Sequence, residues 1–515
     1  MKQGGNGWHR ATDRATHGAV EEARNEPDFD VLIVGAGLSG LSMAAHLARD
    51  LPYRSYAILE RRDEIGGTWD LFRYPGVRSD SDMHTLGFAF EPWTDDKSIA
   101  DAPAIRSYLA RVVDKHGIGG TIRLGHTVRS ASFDSSTARW TVEVECEGAR
   151  SHITARWLYL GSGYYDYDEP HDAGFDLSAF RGTVVHPQFW PDDFDYAGKD
   201  VVVIGSGATA VTIVPAMAQQ ARSVTMLQRT PTWMFGAPAK DRIANVLRAL
   251  LGDPIAYRLA RWKNIRMQAL AFRRARRRPE WMKRFLTKRL RKRLESSYAA
   301  ADFTPPYDPW DQRICLVPDH DLFDALKAGD AQIATGRIAA FEADGIGLED
   351  GRRLPADIIV TATGLKLELG GKIAVSVDGE PVRWADRFFY RGCMFSNVPN
   401  LAVVFGYLNA SWTLRADLNA AYVCRVLAEM ERSGSAIAVP VLPSDHKLEE
   451  AEPFDFSSGY LLRGRHLMPK SATSEPWRLG QDYLADRKAM RGAVDDGVLQ
   501  FRQVTATAAA PTAPV

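Results

Sequence analysis

Two short glycine-rich stretches carry the chemistry this chain is equipped for. In "DVLIVGAGLSGLSMAAHL" an apolar strand-like run, Val31 to Val34, turns through Gly35, Gly37 and Gly40 into a helical pattern. The first glycine permits a tight turn, the second lets backbone approach a pyrophosphate, and the third allows close helix–strand packing. The helix N-terminus adds amide donors, so the turn suits the phosphates of a dinucleotide, with Ser39 beside them. Glu60 closes the next strand-like run, "SYAILE", 20 residues beyond Gly40, where an acid can hold adenosine ribose hydroxyls.

"DVVVIGSGATAVTIVPAMA" repeats the design, with Gly205, Ser206, Gly207, Ala208, Thr209, Ala210 and Val211 forming the turn and the helix start. Here the following run, "SVTMLQRT", ends in Gln228, Arg229 and Thr230 instead of an acid. An acid would repel a 2′-phosphate, whereas Arg229 can bind one through a bidentate, charge-assisted contact. The pair of sites therefore reads as one for non-covalently bound FAD and one for NADPH. That pairing describes an enzyme passing hydride from nicotinamide to flavin.

Composition narrows where the electrons go. The four cysteines (Cys146, Cys315, Cys393, Cys424) form no C-x-x-C pair, which argues against a disulfide reductase, a zinc site and a disulfide framework. No metal site is expected. Charge balances at 64 basic against 64 acidic residues, giving no reason to expect nucleic acid as a partner. Cysteine usage and the lack of a ~18-residue apolar run point to a cytoplasmic protein. On cofactors alone, a quinone or ferredoxin reductase, an NADPH oxidase or diaphorase, and a monooxygenase all remain open.

Two further motifs discriminate among these. "GGTWDLFRYPGVRSD" (Gly66 to Asp80) and "FRGTVVHPQFWP" (Phe180 to Pro191) lie in order with the two glycine turns. Together the four resemble the class B flavoprotein monooxygenases of the Baeyer–Villiger type. The likeness runs from about residue 28 to about 501 and is nearest to the ethionamide-activating subgroup, in "YDPWDQRICLVP" and "GYLNASWTLRADL" as well. It implies insertion of one oxygen atom, from molecular oxygen, beside the carbonyl of a hydrophobic ketone, with sulfide and thioamide oxidation as a second activity. The alternatives are an NADPH oxidase or diaphorase and an N-hydroxylating flavin monooxygenase.

The resemblance also assigns roles. Arg313 would be the fixed cation that stabilises a negatively charged flavin C4a-peroxide and its adduct, with bound NADP assisting, since a guanidinium keeps its charge. Without the resemblance, Arg313 could simply pair with Asp311. Asp80 would orient Arg313 and touch cofactor; its position before "MHTLGF" also suits a helix N-cap. Gly67, Thr68, Trp69, Asp70 and Leu71 would run beside the flavin, and Arg78 and Ser79 would reach the nicotinamide end of NADPH. Val128 would meet adenine through its backbone. Many relatives carry lysine just before the catalytic arginine; Gln312 stands here, which leaves 2′-phosphate recognition to Arg229 and Thr230. His186, Trp190 and Pro191 read as a tethered, rigid junction between domains.

The expected fold class is α/β, with two Rossmann-like domains. The FAD domain is discontinuous (28–165 and 361–501), and the NADPH domain comprises 180–232 and 303–360. A helical insertion, 233–302, carries twelve Lys or Arg between Arg273 and Arg293, with Trp281, Met282, Phe285, Leu286, Leu290 and Leu294 at helical spacing. Two readings stand: a packed apolar stripe with a solvated basic face, or peripheral contact of helix 273–294 with an anionic membrane. Residues 1–27 and 502–515 read as disordered extensions.

Overall fold

The computed structural model describes residues 26–504, and in it the two glycine turns stand at the ends of parallel strands in two separate sheets, the first of them mixed. The first sheet is built on β1 (Phe29–Val34), which leads through the first turn into helix α1 (Leu38–Asp50) and on to β2 (Tyr56–Leu59). β1 lies parallel between β2 (Ile33 opposite Ile58) and the long strand Ala149–Leu160 (Ile33 opposite Tyr159). Val31, Leu32 and Ile33 are wholly buried on both faces, which is why this strand reads as an unbroken apolar run. Each such side chain contributes about 1.5–3 kcal/mol on burial. The same sheet takes in Ala374–Val377 and Leu401–Val403 from late in the chain, so it is discontinuous in sequence.

The second sheet is wholly parallel. Its centre is β3 (Asp200–Ile204), followed by helix α2 (Ala208–Met217) and β4 (Ser223–Gln228). The strand order is Ala331–Thr335, β4, β3, Ile358–Thr361, Thr183–Val185. The mixed α/β architecture with two dinucleotide-type units is the one the spacing of the motifs predicts.

The insertion opens with a strand, Met234–Ala237, paired with Cys315–Pro318, and is then mainly three helices: α3 (Arg242–Leu251), α4 (Asp253–Arg277) and α5 (Pro279–Leu294), with a one-turn helix starting at Ala300. Met282, Leu286, Leu290 and Leu294 point inward, Met282 and Leu286 against Trp233 and the other two against the core of the second unit. The apolar stripe of 273–294 is thus packed, with Arg278 breaking the segment into two helices. The membrane-contact reading of that segment finds no exposed apolar face there.

Helix α6 (Trp412–Ser433) runs along α1. Buried Asp417 on α6 accepts Ser42 Oγ (2.9 Å) and Ala89 N (2.8 Å) and faces Arg261 of α4 at 3.4 Å. Arg261 in turn donates to the carbonyls of His84, Thr85 and Gly87, anchoring the insertion to the first unit. The terminal extensions lie almost wholly outside the described residues, although Arg502 belongs to a strand, opposite Ile437.

Candidate functional site

The first turn is shaped by what it leaves out. A Cβ on Gly40 would stand 1.8 Å from Gly35 O, and Gly35 itself sits at φ +98°. A Cβ on Gly37 would meet the backbone of Gly67, whose Cα is 3.5 Å away, and of Gly66, so the two glycine motifs face each other across a groove without side chains. Gly66 N donates to Ala36 O (3.0 Å) and pins the second motif to the first. Glu60 accepts from Ala36 N (2.7 Å) and Arg62 N (2.9 Å), and burial pushes its carboxyl up against those two bonds. This cradle fits a dinucleotide whose phosphates lie along glycine backbone.

A cavity of about 350 Å³ extends from this groove. Gly35, Gly37, Ser39, Glu60, Gly67, Thr68, Trp69, Arg78, Ser79, Asp80, Val128, Ala208 and Arg313 all line it. Asp70 and Leu71 do not. The one-turn helix Thr68–Leu71 sends its first two residues toward the cavity and its last two inward. There buried Asp70 holds Arg62 (2.6 Å), Arg106 (3.4 Å) and Arg73 (3.5 Å). Arg78 lines the cavity while ion-paired with Asp321, and Ser79 Oγ accepts from Ala100 N (3.1 Å).

Arg313 donates from Nη2 to Asp80 Oδ1 (3.1 Å), and the two side chains are 37% and 43% exposed. Burial opposes the guanidinium's charge, but Asp80, followed by Tyr164 and Tyr460, more than offsets it, so its pKa is raised. The competing partner is engaged elsewhere: Asp311 takes Arg276 of α4 at 2.5 Å. The helix cap before Met83 is Asp82, not Asp80; Asp82 accepts Thr85 N (3.1 Å). Asp82 is also held by Asn264 and Gln268 of α4, each at 2.8 Å. One helix thereby fixes the residue two places beyond Asp80 and the residue two places before Arg313.

Several lining residues escaped the sequence reading. Tyr164 stacks on Trp412 (ring centres 4.9 Å apart, 19° between planes), and Trp412 Nε1 donates to Ser39 Oγ (2.8 Å). Thr68 Oγ1 meets the hydroxyls of Tyr165 (2.5 Å) and Tyr167 (3.2 Å). The tyrosine run after Gly163 was a visible signal, and Trp412 lies in "GYLNASWTLRADL", one of the stretches that carry the family resemblance.

The second turn is built on the same plan but opens outward. Gly205 has φ +141°, and its Cβ would lie 2.3 Å from Ala362 O, whereas a Cβ on Gly207 would meet nothing within 4 Å. Ala210 and Val211 are buried in α2, Ser206 Oγ donates to Thr230 O (3.0 Å), and Arg229 is exposed, with no ion pair among the described residues. Of this turn and helix, Ala208 and Thr212 reach the cavity; Gly205, Ser206, Gly207, Thr209, Arg229 and Thr230 lie beyond its lining. In the junction, His186 Nδ1 accepts Gln188 N (3.1 Å), and it is Gln188 that spans to Asp166 O (2.7 Å). Burial holds His186 down at about 4.

Residues 32–253 match the family model described as pyridine nucleotide-disulphide oxidoreductase. Over 477 residues the chain is 47% identical to the FAD-containing monooxygenase EthA of Mycobacterium tuberculosis, spanning 92% of this chain and 97% of that protein. The chain belongs to the FAD-containing monooxygenases. This monooxygenase is also 43% identical to the probable FAD-binding monooxygenase AlmA of Acinetobacter baylyi, over 95% of its own length and 99% of AlmA. Among solved structures it shares its fold with an oxidized steroid monooxygenase bound to NADP (TM-score 0.74, 23% identity, 92% and 99% of the two chains). A cyclohexanone monooxygenase bound to ε-caprolactone is likewise similar (TM-score 0.72, 20% identity, 92% and 99%).

Proposed function

We propose that this monooxygenase carries out Baeyer–Villiger oxidation, using NADPH and molecular oxygen to insert one oxygen atom beside a ketone carbonyl and give an ester or lactone. Sulfides and thioamides are the second substrate class. The observation that carries the reading is the Arg313–Asp80 pair at 3.1 Å, on a cavity lined by the first glycine turn and reached by Ala208 and Thr212 of the helix after the second.

Gly35, Gly37, Ser39, Glu60, Gly67, Thr68, Trp69 and the backbone of Val128 would hold FAD. The second turn, with Arg229 and Thr230, would hold NADPH. When bound, FAD reduced by NADPH would supply the electrons that activate oxygen. What the chain itself contributes is a fixed positive charge in a partly dry cavity. Arg313 cannot release a proton at neutral pH, so it stabilises negative charge that develops on oxygen without quenching it. Asp80 restricts the guanidinium to orientations that face the cavity. The stacked Tyr164–Trp412 pair and Tyr165 line the same cavity with aromatic surface, Tyr164 close enough to Arg313 to act on its charge.

Product analysis with cyclic and linear ketones, sulfides and a thioamide, at matched NADPH consumption, tests the reading. Esters or lactones in proportion to NADPH consumed are expected. Quantitative hydrogen peroxide with every substrate class would mark the protein as an oxidase instead.

A further inference from the structure

The outer face of α3 and α4 is apolar and unpartnered. Of the thirteen large hydrophobic side chains exposed among the described residues, nine fall between Ile243 and Leu270. Leu250 (75% exposed), Ile255, Leu259, Trp262 and Leu270 recur at helical spacing along one side of the hairpin. The opposite side of α4 is committed inward: Ala256, Tyr257, Ala260 and Arg261 are buried there, and Asn264 and Gln268 hold Asp82. This stripe is therefore a second, outward apolar face on a helix whose first face is already used, and soluble monomers rarely expose so continuous a patch.

Charge says what covers it. Residues 242–277 carry ten Arg or Lys against one acid, in a chain whose net charge is zero; Arg248, Arg261, Lys263 and Arg276 are ion-paired within the fold, and the other six are exposed. Arg258, Arg266 and Arg273 are exposed along the apolar stripe itself, and the Arg266 guanidinium lies 4.3 Å from the Trp262 ring centre. Long basic side chains interleaved with apolar ones can extend to headgroup phosphates while the apolar groups enter the acyl boundary. A second copy of this chain is disfavoured, because it would bring an equally basic rim against this one.

We propose that the α3–α4 hairpin is a docking surface for an anionic lipid bilayer, lying in its interface rather than crossing it. No helix among the described residues is long and apolar enough to cross a membrane. The surface is α3–α4, not the 273–294 segment, whose Met282, Leu286, Leu290 and Leu294 are buried and whose Trp281 and Phe285 are half-buried. The inference does not depend on which reaction the enzyme performs.

The test is co-sedimentation of the full-length protein with phosphatidylglycerol/phosphatidylcholine vesicles and with pure phosphatidylcholine vesicles. Binding to the anionic vesicles is expected to exceed binding to neutral ones by about tenfold. It should fall when NaCl rises from about 0.05 M to about 0.5 M. The triple variant Leu250→Ser/Leu259→Ser/Leu270→Ser, and separately Arg258→Ser/Arg266→Ser/Arg273→Ser, should each lower anionic binding about tenfold with the thermal midpoint unchanged. The wild-type lipid and salt comparisons stand even if a variant fails to fold. Absence of binding to anionic vesicles, or binding indifferent to lipid charge and salt, overturns the proposal. So does sedimentation velocity showing a self-associated wild type that the apolar variant disperses while no vesicles are bound.

Discussion

The guanidinium of Arg313 reaches across 233 residues of sequence to place Nη2 3.1 Å from Asp80 Oδ1, with both side chains on the cavity. Arg313→Ala is therefore expected to lower oxygenated product by at least ~100-fold, a typical loss when a preorganised charge stabiliser is removed. NADPH-driven bleaching of the flavin absorbance should persist, because the first step does not need this charge. Product formation within a few-fold of wild type would remove Arg313 from the chemistry. Arg313→Lys should recover little, since an ammonium lacks the planar fork.

Asn264 and Gln268 act at one remove, through Asp82. Replacing both with alanine leaves Asp82 without two of its donors and loosens the segment that carries Asp80. A loss of about 1 kcal/mol, or roughly fivefold in turnover, is expected. In an Asp80→Asn background the same pair should cost much less, because the group they position is already disabled. Equal losses in both backgrounds would show that the two residues serve stability alone.

The two glycine turns should respond differently to a single methyl group. Gly40→Ala drives a Cβ into Gly35 O and should abolish FAD retention or soluble expression. Gly207→Ala adds a Cβ to open space, so the thermal midpoint should not move. Its effect should appear as a raised KM for NADPH, where a phosphate needs the backbone close. An unchanged KM would place the coenzyme phosphates elsewhere.

Arg229 is exposed beside the second turn, as a 2′-phosphate ligand must be. Arg229→Ala is expected to raise the KM for NADPH by about 10- to 100-fold, matching the ~1.5–3 kcal/mol of a charged hydrogen bond. The KM for NADH should barely change. A parallel change for both coenzymes would mean that the side chain shapes the turn instead of reading the phosphate.

His186 gives a pH signature to the interdomain junction. Burial lowers its pKa from 6.5 to about 4 in the folded protein. Above pH 6.5 folded and unfolded forms are both neutral there, and the residue makes stability no steeper with pH. Between pH 6.5 and 4 the unfolded chain takes a proton that the fold refuses, so stability falls as pH drops. His186→Asn should flatten that part of a denaturation-midpoint profile. A slope unaltered by the substitution would assign it to other groups.

Local spacing made much of this protein legible. Gly35, Gly37, Gly40 and Glu60 lie within about thirty residues, and each needs only its neighbours to form a strand, a turn and a helix start. The chemistry of such a turn is a property of backbone, and backbone preference is written locally. The α/β class could be read for the same reason.

Contacts between distant segments were beyond that reach. Asp80 in "SDSD" suited a helix cap by its position, and only the fold decided that Asp82 caps and Asp80 faces Arg313. Asp311 could have taken Arg313 until Arg276 occupied it. Basic residues at 273–294 suggested a membrane face, but helix phase and neighbours buried that stripe and left the one on α3–α4 exposed. In each case several partners were chemically equivalent along the chain. The sequence by itself determined the two cradles, the family and the candidate cation; the tertiary structure decided which carboxylate that cation meets and which helix face stays open, because ion pairing and burial are settled by distances that only packing sets.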